Sequence, residues 1–290
     1  MSIIDEIKES FREGSTLTRL IYINIGVFLL VRIINVFYFL SGQEFPLIGW
    51  LAMPADIGQL LSRPWTIITY MFLHFGFLHI LFNILWLYWL GRIFLSYFDE
   101  RKLLGVYLLG GISGGLFYLL AYNLFPAFEN VLAASQLLGA SAAVIAIVVA
   151  VGVYVPNHVI YLMFIGPVKM KYIALVSVVM YIIGISTSNA GGNLAHLGGA
   201  FWGMIFALQY KKGTDLSKGI SGLIDTAAKW MKPKPKVKIT YRNTGNNDID
   251  YNRRKNAQQE RINEILEKIS KSGYDSLSRE EKEILFRMGK

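Results

Sequence analysis

The chain has no cysteine among its 290 residues. That absence excludes a disulfide scaffold, a thiolate nucleophile, cysteine-ligated zinc and iron–sulfur clusters. Charge is also scarce, at 17% of residues against about 25% in soluble domains. It is unevenly spread as well, since residues 211–290 hold 30 of the 49 charged side chains. The first 210 residues are nearly charge-free over long stretches. With 53% apolar residues and a mean hydropathy of +0.41 for the whole chain, they read as membrane-embedded. The net charge of +9 arises mostly beyond residue 210. Beside a membrane domain, a basic tail follows the excess of Lys and Arg on cytosolic flanks, so no nucleic-acid partner is expected. No HExxH string occurs, and no apolar run carries a pair of aspartates, which removes zinc and aspartyl hydrolysis inside a membrane. No metal or cofactor is expected. Glu44, Asp56 and Glu129 fall between apolar runs, whereas a transporter or channel path would want acidic groups within them.

A helix needs about 20 mostly apolar residues to cross a bilayer. Runs at about 17–40, 74–96, 103–124, 138–155, 168–186 and 193–210 qualify as candidate spans. The stretch 159–167 is apolar but too short to cross. Bracketed by Pro156 and Pro167, it reads as a re-entrant or interfacial link. The first run begins near Leu20, behind Asp5, Glu6, Glu9 and Glu13, and is too long for a signal-peptide core, so no cleaved leader is expected. Lys8, Arg12 and Arg19 precede the first span, and Arg92, Arg101 and Lys102 lie around the turn after the second. Lys169 and Lys171 precede the fifth, and Lys211, Lys212 and Lys218 follow the sixth. The alternate loops, 41–73, 125–137 and 187–192, carry only Arg63. This asymmetry predicts six crossings of the cell (inner) membrane with both termini cytosolic. Arg32, inside the first span, reads as a snorkelling or bundle-facing side chain.

The expected organisation is a cytosolic segment over 1–16, a membrane domain over 17–211, a basic flexible linker over 212–256 and a cytosolic helical pair over 257–290. KPKPKVK at 232–238 and the polar stretch to Asn256 suggest the linker. Ile262, Ile265, Leu266 and Ile269 recur at helical spacing, and Gly273 can end that helix. Ser278 and Glu281 form a capping box for a second.

Polar groups inside spans cost free energy unless paired or used. His79 and Asn83 lie four apart on the second span, Ser141 opens the fourth, and His196 lies early in the sixth. These three spans all run from outside to inside, so the four residues share one depth below the outer surface, as a single site requires. Small residues flank them: Gly139, Ala140, Ala142, Ala143 and Ala146 around the serine, and Gly198, Gly199 and Gly203 after His196. Such residues let helix backbones approach closely in a membrane, which by itself is a packing device. Close approach is also what a serine oxygen needs to reach an imidazole nitrogen.

These motifs, HFGFLHILFN with His74, His79 and Asn83, GASA with Ser141, and AHLGGAFWG with His196, resemble the rhomboid intramembrane serine proteases over 17–211. The resemblance implies an all-α membrane protein, a six-transmembrane-helix bundle, here followed by a small helical tail of a kind seen on some bacterial rhomboids. It implies Ser141 as nucleophile and His196 as general base, in a dyad without a carboxylate. It implies an oxyanion hole of His79, Asn83 and the Ser141 N–H, and a structural or water-retaining role for His74. Gly139 and Gly199 would support the site. The substrates it implies are single-span or other transmembrane proteins within the lipid bilayer, favoured where glycine or other helix-weakening residues lie near the outer surface. The glycine-rich string STSNAGGN (186–193) could then move as a lid together with the fifth helix. Ala142 stands where most members carry glycine, and Trp65-Thr66 where they often carry Trp-Arg, leaving Arg63 as the candidate anchor of the first outer loop. The alternative is a catalytically inactive rhomboid-like protein that binds membrane clients. The sequence leaves the oligomeric state open.

Overall fold

The computed structural model describes residues 2–163, 165–186, 189–219, 222 and 245–288. It falls into two compact units, 1–232 and 233–290.

The first unit is mostly helical. α1 (Ile3–Glu13) is closed by a reciprocal capping box between Ser2 and Asp5. α2 (Thr16–Leu40) follows, with Ser15 accepting from Thr18 N at its N-cap. The segment that follows α2 holds three short helices, α3 (Leu47–Leu51), α4 (Ile57–Ser62) and α5 (Thr66–Thr69). Then come α6 (Phe77–Leu95), α7 (Glu100–Leu124), α8 (Ser141–Tyr154), α9 (Met170–Gly184) and α10 (Ala190–Lys211). A helix thus lies at each of the six expected positions. By length and composition, α2, α6 and α7 are sufficient to cross a membrane, while α8 and α9 are apolar but shorter.

α8 is the central post. Every residue from Ala142 to Gly152 is buried. Glycines on its neighbours make this possible. A Cβ on Gly110 or Gly203 of the flanking helices would collide with Ala146, and one on Gly152 of α8 would meet Ala174 of α9 at 2.6 Å. A second tie is polar. Asn24 of α2, fully buried, donates to Tyr107 Oη at 3.1 Å, and Tyr70 Oη donates to Gly111 O at 2.6 Å. These bonds satisfy groups that hydrocarbon would leave unpaired.

Four expectations need correction. The all-α reading omits two small antiparallel sheets. β1 (Met53–Pro54) pairs with β2 (Gln136–Leu137) beside the site, with Met53 opposite Leu137. The stretch 159–167, expected as a re-entrant or interfacial link with no strand, forms a hairpin of β3 (Val159–Leu162) and β4 (Gly166–Lys169). Its β-branched and aromatic residues suit a strand, and Gly166, at φ +87°, takes the left-handed turn. The sixth helix begins at Ala190, so half of the string 186–193 is helix, not loop. Gly191 serves packing, since a Cβ there would press on the Tyr118 ring at 3.0 Å. Finally, 245–256, expected in the linker, is helical. The rest of that linker from 223 to 244, with the KPKPKVK string, lies outside the described residues.

The second unit is a helical pair, α11 (Gly245–Ser272) and α12 (Arg279–Met288), closed over buried Ile265 and Leu277. Gly273, at φ +77°, ends α11 with its N–H on Ile269 O at 2.9 Å. Ser278 N donates to Glu281 Oε2 at 2.6 Å, Glu281 N donates to Ser278 Oγ at 3.3 Å, and Lys268 Nζ reaches Glu281 at 2.9 Å. The Ser278 N–H, with Lys268 behind it, holds the Glu281 carboxyl below its ordinary value of 4.5. A depressed carboxyl contributes stability above its unfolded pKa and loses it as pH falls through the folded one. The first turn of α12 should therefore fray on acidification below that ordinary value, and amide exchange at Ser278 should speed up in the same range. Exchange unaffected by pH once the intrinsic rate is corrected would count against this cap.

Candidate active site

Gly139, at φ +131°, turns the chain from β2 into α8 and places Ser141 as the first helical residue. The Gly139 N–H is held by Tyr70 O at 2.9 Å. The first N–H groups of a helix have no intrahelical acceptor and carry the positive end of its dipole, so Ser141 opens α8 at a point suited to negative charge.

α10 brings His196 to this serine. His196 Nε2 lies 2.6 Å from Ser141 Oγ. The approach depends on Gly199, one turn further along α10, whose missing side chain makes room for the Ala142 carbonyl. Ala142 itself is accommodated from the other side. A Cβ on Gly114 of α7 would sit 2.6 Å from the Ala142 methyl, so the glycine on α7 frees the space that the alanine fills. His196 Nδ1 is buried without a hydrogen-bond partner among the described residues. The ring is held instead by Tyr181 of α9, whose centroid is 4.3 Å from that of the imidazole. Sequence reasoning missed Tyr181, because an aromatic side chain in an apolar helix carries no sign of which neighbour it meets.

His79 and Asn83 approach from α6. A Cβ on Gly139 would meet His79 Nε2 at 3.0 Å and Ser141 Oγ at 3.5 Å, which places the His79 ring beside the serine. Asn83 is buried, and its amide donates to His79 O at 2.8 Å, so one of its two N–H groups is occupied within its own helix. His74 is buried and stands edge-on to His79, with ring centroids 5.2 Å apart. The turn between them is fastened by Arg32, which reaches out of α2 to donate to Phe75 O. All the candidate residues except His74 and Gly199 line one cavity of about 850 Å³. Phe82, Trp86 and Tyr181 are among its lining, together with Ser135, Gln136 and Asn189.

Arg63 anchors the segment between α2 and α6. It donates to Gly49 O and lies 5.6 Å over the Trp50 ring, which stacks on Trp65 at 6.1 Å.

Residues 61–212 match the family described as the Rhomboid domain, and residues 247–290 match a family of unknown function, DUF6576. Among curated proteins, the chain is 29% identical to RHOMBOID-like protein 12, mitochondrial, of Arabidopsis thaliana over 203 residues, 67% of this chain and 58% of that one. It is 28% identical to Rhomboid protease GlpG of Yersinia pseudotuberculosis over 185 residues, 64% of this chain and 61% of the relative. For Rhomboid protease GlpG of Serratia proteamaculans the figures are 30% over 117 residues, 34% and 41%. The chain thus spans between 41% and 61% of the length of these relatives. The family match covers just over half of the sequence and takes in the helices that carry Ser141, His196, His79 and Asn83, and on that ground this membrane protein belongs to the rhomboid family.

Proposed function

We propose that the chain is an intramembrane serine endopeptidase that hydrolyses a peptide bond in or near a transmembrane segment of another protein. The observation that carries this reading is the 2.6 Å contact of His196 Nε2 with Ser141 Oγ, both lining the cavity of about 850 Å³. At that distance neutral imidazole takes the Ser141 proton as the oxygen attacks the scissile carbonyl. The tetrahedral oxyanion falls beside the Ser141 N–H, His79 and the free N–H of Asn83. As the intermediate collapses, the His196 proton passes to the leaving nitrogen and an ester on Ser141 remains. A water molecule, deprotonated by the same imidazole, then hydrolyses that ester. With no carboxylate on Nδ1, the Tyr181 ring keeps the imidazole in place by packing.

The proposed topology is six crossings of the inner membrane with both termini cytosolic, and a membrane domain over 17–211 followed by a basic linker and a helical tail. α9 is the element best suited to move for substrate entry, because only Met170 and Ala174 along it are buried. Asn193 of α10 donates to Gly184 O at 2.7 Å and latches its outer end.

The test is reconstitution of the full chain in liposomes with a tagged single-span reporter carrying glycines near its outer end. A discrete cut within or beside the span, mapped by mass spectrometry, is expected. A folded protein that binds the reporter but never cuts it would instead support a client-binding role. The donors give a graded version of this experiment. One oxyanion donor is typically worth about 10²–10³ in turnover. Asn83→Ala and His79→Ala should therefore each slow cleavage by about that factor and leave measurable activity. Turnover per mole of folded protein that stays at the wild-type rate in both variants would take these side chains out of the mechanism.

A further inference from the structure

We infer that this protein carries a second ligand site, a groove for an anionic phospholipid headgroup between the start of α2 and the end of α6. The groove has a volume of about 680 Å³ and is separate from the catalytic cavity, with no lining residue in common. It rests on the membrane embedding of α2 and α6 and not on the proposed catalysis.

Three observations point to this ligand. The first is an uncompensated cation. Arg92 lines the groove, its guanidinium donates to Tyr88 Oη at 3.1 Å, and no carboxylate pairs with it among the described residues. Glu100 of α7 is occupied by Thr16 N and Oγ1, each at 3.0 Å, and is not part of the lining. The second is a set of hydroxyls on the same wall. Ser15, Thr18, Tyr22 and Ser96 line it with Tyr88. Tyr22 donates to Ser10 Oγ, Ser96 donates to Arg92 O, and Ser15 and Thr18 pair with each other, which leaves the Tyr88 proton and one from the Ser15–Thr18 pair to donate to a phosphate oxygen. The third is depth. Ser15 caps the first turn of α2 and Ser96 caps the last turn of α6, two helices apolar and long enough to cross, so the polar rim stands at headgroup level. Leu17, Ile21 and Leu95 complete the lining. A phosphodiester with attached acyl chains matches this order of a guanidinium, the Tyr88 and Ser15–Thr18 hydroxyls beside it and an aliphatic wall. Basic pockets between spanning helices hold anionic headgroups in this way, and the planar guanidinium suits two phosphate oxygens at once.

The experiment is native mass spectrometry of the full chain in a zwitterionic detergent, titrated with phosphatidylglycerol, with phosphatidylcholine of the same acyl chains, and with inorganic phosphate. Wild type is expected to retain phosphatidylglycerol in preference to phosphatidylcholine. Arg92→Gln should weaken it about fivefold or more, the weight of one cation at an anionic surface. Ser96→Trp, which fills the groove from an exposed position, should weaken it as well and serves if Arg92→Gln does not fold. Arg19→Gln should not, because Arg19 is occupied by the carbonyls of Phe11 and Arg12 and lies outside the lining. Equal retention of both lipids would overturn the inference, as would phosphatidylglycerol binding that neither groove variant weakens. Inorganic phosphate displacing the lipid at equal concentration would make the groove a site for free phosphate and overturn the lipid assignment.

Discussion

Replacing Ser141 with Ala should lower cleavage of a transmembrane reporter by about 10⁴-fold or more, and His196→Ala should do the same. In the proposed mechanism the two residues act as one unit, since the imidazole is useful only as acceptor of the proton on the oxygen 2.6 Å away. The double variant should therefore be no slower than either single one. Both substitutions remove a few atoms beside an existing cavity, so the variants should insert and melt close to wild type. Cleavage persisting in both, at an unchanged site in the reporter, would show that another nucleophile does the work.

Gly199→Ala should also lower cleavage strongly, without touching the reacting atoms. Its new methyl would overlap the Ala142 carbonyl oxygen, a backbone atom that cannot rotate away, so α10 must move off α8. His196 lies three residues earlier on the same face of α10 and moves with it. A displacement of about 1 Å in a reacting pair can lower turnover about 10²-fold, and a loss of at least that size is expected, with a lower melting temperature. Gly26→Ala, a helical glycine with open space around it, is the control and should be silent. If Gly199→Ala turned over like wild type, the close approach of these two helices would not be what positions the histidine.

What could be read from the sequence depended on whether a signal was local. Ser141, His196, His79 and Asn83 stand out because a polar group in an apolar run has few bland explanations, and a shared depth follows from counting crossings. The partners of those groups were hidden. Tyr181 meets His196 across a helix interface, and composition does not say which face of α9 turns inward. Gly114 opposite Ala142 is the same case, where one extra methyl is matched by an absence on a different helix. The paired glycines at 191 and 192 look like loop residues by propensity, yet they lie inside α10, where Gly191 packs against Tyr118 and Gly192 against the Asn189 side chain, and this outweighs their weak helix preference. The hairpin over 159–169 was missed because a short apolar run has the same composition whether it forms strand or helix. Arg32 illustrates the remaining limit. Its position inside a span was plain, but its acceptor, Phe75 O, lies on the turn ahead of α6.

The length of α9 has a mechanical consequence for the surrounding lipid. At 15 residues it is about 22 Å long, against about 30 Å of hydrocarbon, whereas α2 and α7, with 25 residues each, reach about 37 Å. α9 is outward-facing over most of its surface, with Leu175, Val176, Met180 and Ile183 all more than half exposed. In the proposed topology the bilayer is drawn thinner beside α9, while α2 fits by tilting or by local thickening, each at a cost of fractions of a kcal/mol per Å. A client helix of ordinary length that diffuses into the thinned zone is too long for it. It relieves the mismatch by tilting or by pushing one end into water, where its backbone can exchange helical hydrogen bonds for solvent. The bilayer itself, compressed by one short helix, would then begin the unwinding that peptide hydrolysis requires.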